Sequence, residues 1–145
     1  MNQTTIFLVE DDEVYSFLLD TKLKEISNFD LMTFTTGEQC LENLYINPSI
    51  IILDYSLPGI DGLETLKRIR RENEYAKVIF LSGNDEPGLI EECKANGAFE
   101  YIVKDKDVAV KVYRSVTGIL EGTQEPENEK SSGGLFGGLF RKKKK

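Results

Sequence analysis

The 145-residue chain has no histidine and only two cysteines, and both shortages exclude chemistry. Without an imidazole there is no histidine-based acid–base catalysis and no usual zinc site. A catalytic thiol at Cys40 or Cys93 would also lack its customary base. Both cysteines fall in helical patterns, where a free thiol packs as a small core residue. Any metal must therefore be held by oxygen ligands, which points to Mg²⁺, Mn²⁺ or Ca²⁺. No segment approaches the roughly 18 consecutive apolar residues of a membrane span. The opening "MNQTTIFLVE" lacks the basic region and cleavage site of a secretory signal. A cytoplasmic location is expected.

Base is scarce over most of the chain. Residues 130–145 carry six basic residues and no acid, which leaves residues 1–129 with 12 basic against 25 acidic residues, a charge of −13. So acidic a body argues against broad nucleic-acid binding. With 40% hydrophobic and 30% charged residues, the composition suits one soluble domain with a single buried core.

Short apolar runs alternate with helix-length amphipathic segments. "TTIFLV" precedes "EVYSFLLDTKLKEI", where Val14, Phe17, Leu18, Leu23 and Ile26 suggest an inward helical face. "DLMTFTT" alternates more and reads as a strand at or near a sheet edge. Thr36 is placed to cap the next helix, which directs Leu41 and Leu44 inward and ends at Pro48. "IIILD" follows, then a Pro-Gly turn and a helix capped at Asp61, with Glu64 completing a capping-box pattern. "KVIFLS", the helix "PGLIEECKAN" ending at Gly97, "EYIVK" and "DVAVKVYRSVTGIL" complete the series. This alternation predicts an α/β fold, an open and mostly parallel sheet with helices on both faces.

The character changes near residue 121. The expected division is a domain over 1–121, a flexible polar linker over 122–134, and a GGLF/polybasic tail over 135–145. Leu135, Phe136, Leu139 and Phe140 would share a helix face, although the glycine pairs weaken any helix. The tail is expected to contact an anionic membrane surface or a docking protein, each basic residue near such lipid contributing roughly 1 kcal/mol. It is too short to build a second core, so no DNA-binding domain is expected.

In a parallel sheet the strand C-termini share one edge, where ligands bind. Here "IFLV" runs into Glu10-Asp11-Asp12, "IIIL" into Asp54, "VIFL" into Ser82 and "YIV" into Lys104. Clustered carboxylates repel one another unless a cation compensates. Acids that can hold Mg²⁺, together with an ammonium and a hydroxyl, suit phosphoryl transfer, which depends on positioning and charge neutralisation. The central carboxylate would be the nucleophile, giving an acyl phosphate.

The pieces "FLVEDDE", "IILDYSLPGIDGLETLKRIR", "VIFLSG" and "YIVKD" resemble the receiver domain of two-component response regulators, over residues 4 to about 120. That resemblance implies a doubly wound, flavodoxin-like sheet of order 2-1-3-4-5 flanked by five helices. It implies that Asp54 accepts a phosphoryl group from a histidine kinase or histidine phosphotransfer protein. Glu10, Asp11, Asp54 and the Ser56 carbonyl would hold Mg²⁺, or Mn²⁺ in its place. Ser82 and Lys104 would contact the phosphoryl group, and Tyr101 would be the switch aromatic. The chain would then be a signalling phosphoacceptor rather than an enzyme acting on other substrates, and would change affinity for a downstream protein.

Two departures stand out. Asp105 follows Lys104 where the family usually has proline, so a cis bond is not expected, and Asp12 adds an acid to the pocket. The expected binding face is the Tyr101 strand with its flanking helices, including Val108 and Tyr113. Two alternatives are a phosphorylation-independent binding module and a small Mg²⁺-dependent phosphatase. The phosphatase would want an acid where Ser56 stands.

Overall fold

A computed structural model describes residues 4–27 and 29–122. Strand β1 (Thr4–Val9) leads into helix α1 (Glu13–Leu23), β2 (Phe29–Phe34) into α2 (Gly37–Glu42), and β3 (Ile50–Asp54) into α3 (Gly62–Glu72). Then β4 (Lys77–Ser82) leads into α4 (Pro87–Ala95) and β5 (Ala98–Val103) into α5 (Val108–Glu121). The five strands are parallel in the order β2-β1-β3-β4-β5, as the resemblance implied. The linker beyond Gly122 and the tail lie outside the described residues.

Strand period sorts the core into two layers. Phe7, Val9, Ile51, Leu53, Val78 and Phe80 face α2, α3 and α4, meeting Cys40, Leu66, Ile69 and Cys93. Their neighbours Ile6, Leu8, Ile50, Ile52, Ile79 and Leu81 face α1 and α5, meeting Leu19, Leu23, Val108, Val112 and Val116. β3 is buried at all five positions, so its unbroken apolar run is that of a strand covered on both faces. Both cysteines are core thiols; burial pushes Cys40 up to about 12 and Cys93 up to about 11.

Three sequence expectations change. In α1 the inward side chains are Tyr15, Leu19 and Leu23, with Ile26 packing inward just beyond the helix, whereas Val14 is 76% and Phe17 72% exposed and Leu18 also faces solvent. The apolar residues of this helix spread over more than one face, so periodicity alone fixes no unique phase. Next, α2 stops at Glu42; a 3-10 turn over Leu44–Ile46 and left-handed Asn47 (φ 68°) complete the link before Pro48. Finally, Asp61 caps α3 through the Glu64 amide at 2.8 Å, but the Glu64 carboxylate turns to Arg68 at 2.9 Å, leaving the capping box half-made.

The order of the sheet reverses between β1 and β3, and a crevice opens at such a point beyond the strand C-termini. Gly62 allows α3 to approach there. A Cβ at this position would meet the Asp54 carbonyl oxygen at 2.4 Å and the Tyr55 Cα at 2.7 Å.

Candidate functional site

Glu10 leaves β1 and Asp54 ends β3, so the reversal point holds two buried carboxylates side by side. Carboxylate oxygens of Glu10, Asp11 and Asp54 all lie within 4.8 Å of one another. Asp11 is the exposed member at the mouth, while Glu10 and Asp54 are each 2% exposed. Lys104, one residue beyond β5, brings its Nζ to 2.8 Å from Glu10 Oε1 and 3.1 Å from Asp54 Oδ1. Its main chain is fixed where its amide donates to the Ser82 carbonyl at 2.8 Å. Four of the residues singled out by their strand ends are thus brought together.

Burial dominates the electrostatics. It pushes Glu10 up to about 7, helped by repulsion from Asp54 and opposed by the Lys104 ammonium. Asp54 is also raised by burial, with Lys104, Glu10 and the Ser56 amide restraining the rise. Burial works against the charge on Lys104, but Glu10 and Asp54 more than offset it and hold its pKa above the ordinary value. Glu10 Oε1 is buried with no aligned hydrogen bond, and the Lys104 ammonium 2.8 Å away compensates it. Three hard oxygen donors, one of them an under-satisfied buried acceptor, fit a small divalent cation.

Ser82 ends β4 fully buried, and its hydroxyl accepts the Asn84 amide at 3.0 Å. Tyr101 in β5 is half-buried, stacked on Phe80 with centroids 5.8 Å apart, and its hydroxyl donates to the Asn84 carbonyl. Asn84 therefore links the two. Ser56 is exposed just past Asp54, and its amide reaches the Asp54 carboxylate.

Asp12 does not join the acid cluster. Its carboxylate caps α1, accepting the Val14 amide at 2.8 Å and the Tyr15 amide at 3.3 Å, because helix N-terminal amides attract an anion. Val108, the first residue of α5, is buried in the core and offers no surface beside Tyr101, whereas Tyr113 is half-buried with Lys22 Nζ 5.1 Å from its ring centroid. Among the described residues no cis peptide bond occurs. Asp105 instead holds the turn after Lys104 by accepting the Asp107 amide at 2.9 Å and pairing with Lys111 at 2.8 Å. Two contributors carried no signal in the sequence: Gly62, whose role is steric, and Tyr15, whose ring lies 4.5 Å from Lys104 Nζ.

Residues 6–112 match the response regulator receiver domain family. The chain belongs to this family. As a receiver of two-component systems it is similar to the transcriptional regulatory protein AfsQ1 of Streptomyces coelicolor, with 30% identity over 132 residues covering 90% of this chain and 58% of that regulator. The receiver spans 29% to 58% of the length of the first curated relatives it matches. Its fold resembles a chain of the CheX–CheY–BeF3–Mg²⁺ complex from Borrelia burgdorferi, with 28% identity, TM-score 0.70, and coverage of 82% of this receiver and 90% of that chain. It also resembles the Mn²⁺-bound form of the response regulator Rcp1, with 25% identity, TM-score 0.74, and coverage of 85% and 99%. Among the described residues no helix is long and apolar enough to cross a membrane.

Proposed function

We propose that this receiver is a phosphoacceptor that takes a phosphoryl group on Asp54 from a phosphohistidine of a histidine kinase or histidine phosphotransfer protein. The observation that carries this reading is the Asp54 carboxylate, held rigidly at the end of a buried central strand and touched by Lys104 at 3.1 Å. An Asp54 oxygen attacks phosphorus as the bond to the donor nitrogen breaks; the donor ring, protonated on its other nitrogen, leaves as neutral imidazole, and an acyl phosphate forms here. Lys104 follows the charge from the Asp54 carboxylate to the phosphoryl oxygens. The Ser82 hydroxyl donates to one of them.

Glu10, Asp11 and Asp54, with the Ser56 carbonyl, would hold Mg²⁺ or Mn²⁺; the CheY and Rcp1 structures contain those ions. When bound, such a cation offsets the charge of the acids and the phosphoryl oxygens. Movement of Ser82 toward phosphate pulls on Asn84, to which the Tyr101 hydroxyl is bonded, so a local change of charge is passed to the β5 surface. A downstream protein reading that surface would complete the signal. Its function is proposed to lie in affinity rather than turnover.

The test is incubation with Mg²⁺ and a phosphodonor, followed by intact-mass measurement. One added phosphoryl group on the wild type and none on Asp54→Ala is the expected result. Modification of Asp54→Ala to the same extent would defeat the assignment.

A further inference from the structure

Nothing in the resemblance or the family match gives Tyr15 a task, yet its ring forms one wall around the lysine of the site. Lys104 Nζ lies 4.5 Å from the Tyr15 ring centroid, 2.8 Å from Glu10 Oε1 and 3.1 Å from Asp54 Oδ1. With these neighbours the Lys104 side chain is 13% exposed. The ring is itself anchored. Tyr15 sits in the first turn of α1, its amide held by the Asp12 carboxylate at 3.3 Å, and it packs half-buried on the core layer shared by α1 and α5.

We propose that Tyr15 is a positioning residue for Lys104, its ring face serving as a sliding seat for the ammonium during phosphoryl transfer. This rests on the phosphoacceptor reading of Asp54. Before transfer the ammonium is shared between two carboxylates; afterwards the negative charge has moved outward onto phosphoryl oxygens. A hydrogen-bonding residue beside Nζ would pin it in one place. An aromatic face attracts a cation over a broad area, and more strongly where water is excluded, so the lysine keeps a partner while it moves. The phenol oxygen plays no part in this, so phenylalanine should serve equally well.

The step to be followed uses acetyl phosphate: an Asp54 oxygen attacks phosphorus, the bond to the acetate oxygen breaks, and acetate leaves. Tyr15→Leu should slow phosphorylation roughly three- to tenfold, the loss of one partly desolvated cation–π contact, while Tyr15→Phe stays within about twofold of wild type. In a Lys104→Met background Tyr15→Leu should produce no further change, since a residue acting only through the lysine has nothing left to position. An NMR readout stands apart from phosphorylation. The Lys104 Hε resonances should show an upfield ring-current shift in the wild type and in Tyr15→Phe, lost in Tyr15→Leu.

An unshifted wild-type resonance, equal rates for wild type and Tyr15→Leu, or an undiminished Tyr15→Leu effect in the Lys104→Met background would each overturn the role of Tyr15 alone. A ring-current shift present in a wild type that takes no phosphoryl group from any donor would instead overturn the reading of Asp54.

Discussion

Glu10 and Asp54 share one ammonium in a site from which water is largely excluded, and that shortage of positive charge governs the chemistry. With its folded pKa raised to about 7 from 4.5, Glu10 keeps a proton in the folded state over a window in which the unfolded chain has released it. The folded state then binds more protons, so this contribution to stability is complete below about pH 4.5 and is lost as pH rises through about 7. In buffer free of divalent cations, the stability of wild type relative to Glu10→Gln should fall between pH 5 and 7.5, as read by urea denaturation at each pH. A flat difference would mean that Glu10 is ionised throughout. Lys104→Met removes the one compensating cation of the pair and should lower phosphorylation of Asp54 by at least tenfold, measured by intact mass over time.

At the scale of elements, the approach of α3 to the end of β3 is set by a missing side chain. Gly62→Ala forces a methyl against the Asp54 carbonyl, so α3 must move and Asp54 with it. Expected is a loss of about 1–3 kcal/mol, as for other overpacked positions, together with slower phosphorylation. Gly88→Ala in α4 is the control: nothing lies within 4 Å of its added Cβ, so the change should be neutral or stabilising by up to about 1 kcal/mol. Equal effects at the two glycines in chemical denaturation would refute the steric account. Asp61 caps the same helix from the loop that clears the site, and Asp61→Ala should cost about 1 kcal/mol.

For the whole molecule, a cation that binds the folded acid cluster and not the unfolded chain must raise the melting temperature, by mass action. Added Mg²⁺ should therefore stabilise the wild type in a thermal scan, chelator should reverse the gain, and Asp11→Asn combined with Asp54→Asn should abolish it. An equal gain in that double variant would place the ion elsewhere on an acidic surface. The two-layer core leaves such a site well supported, because β1, β3 and β4 are buried on both faces and hold their C-terminal ends rigidly.

Much of this was legible in the residues. Unbroken apolar runs mark strands covered on both faces, and the acids, hydroxyl and lysine that end them fall on one edge because parallel strands share direction. Caps at Thr36 and Asp61 were equally readable, since a cap is a local hydrogen bond to the next turn. The phase of α1 was not: Val14 and Phe17 are as apolar as Leu19 and Leu23, and only packing against the sheet chooses between faces. Nor could the order of residues tell that Asp12 turns to its own helix, that Val108 is buried, or that Tyr15 covers Lys104 from an element nearly ninety positions away in the chain. By itself the sequence determined which side chains reach the mouth of the sheet, because strand direction and period are local properties. Which of them touch, and which lone lysine must serve two buried acids, was decided by tertiary structure, because contacts and burial depend on parts of the chain far apart in sequence.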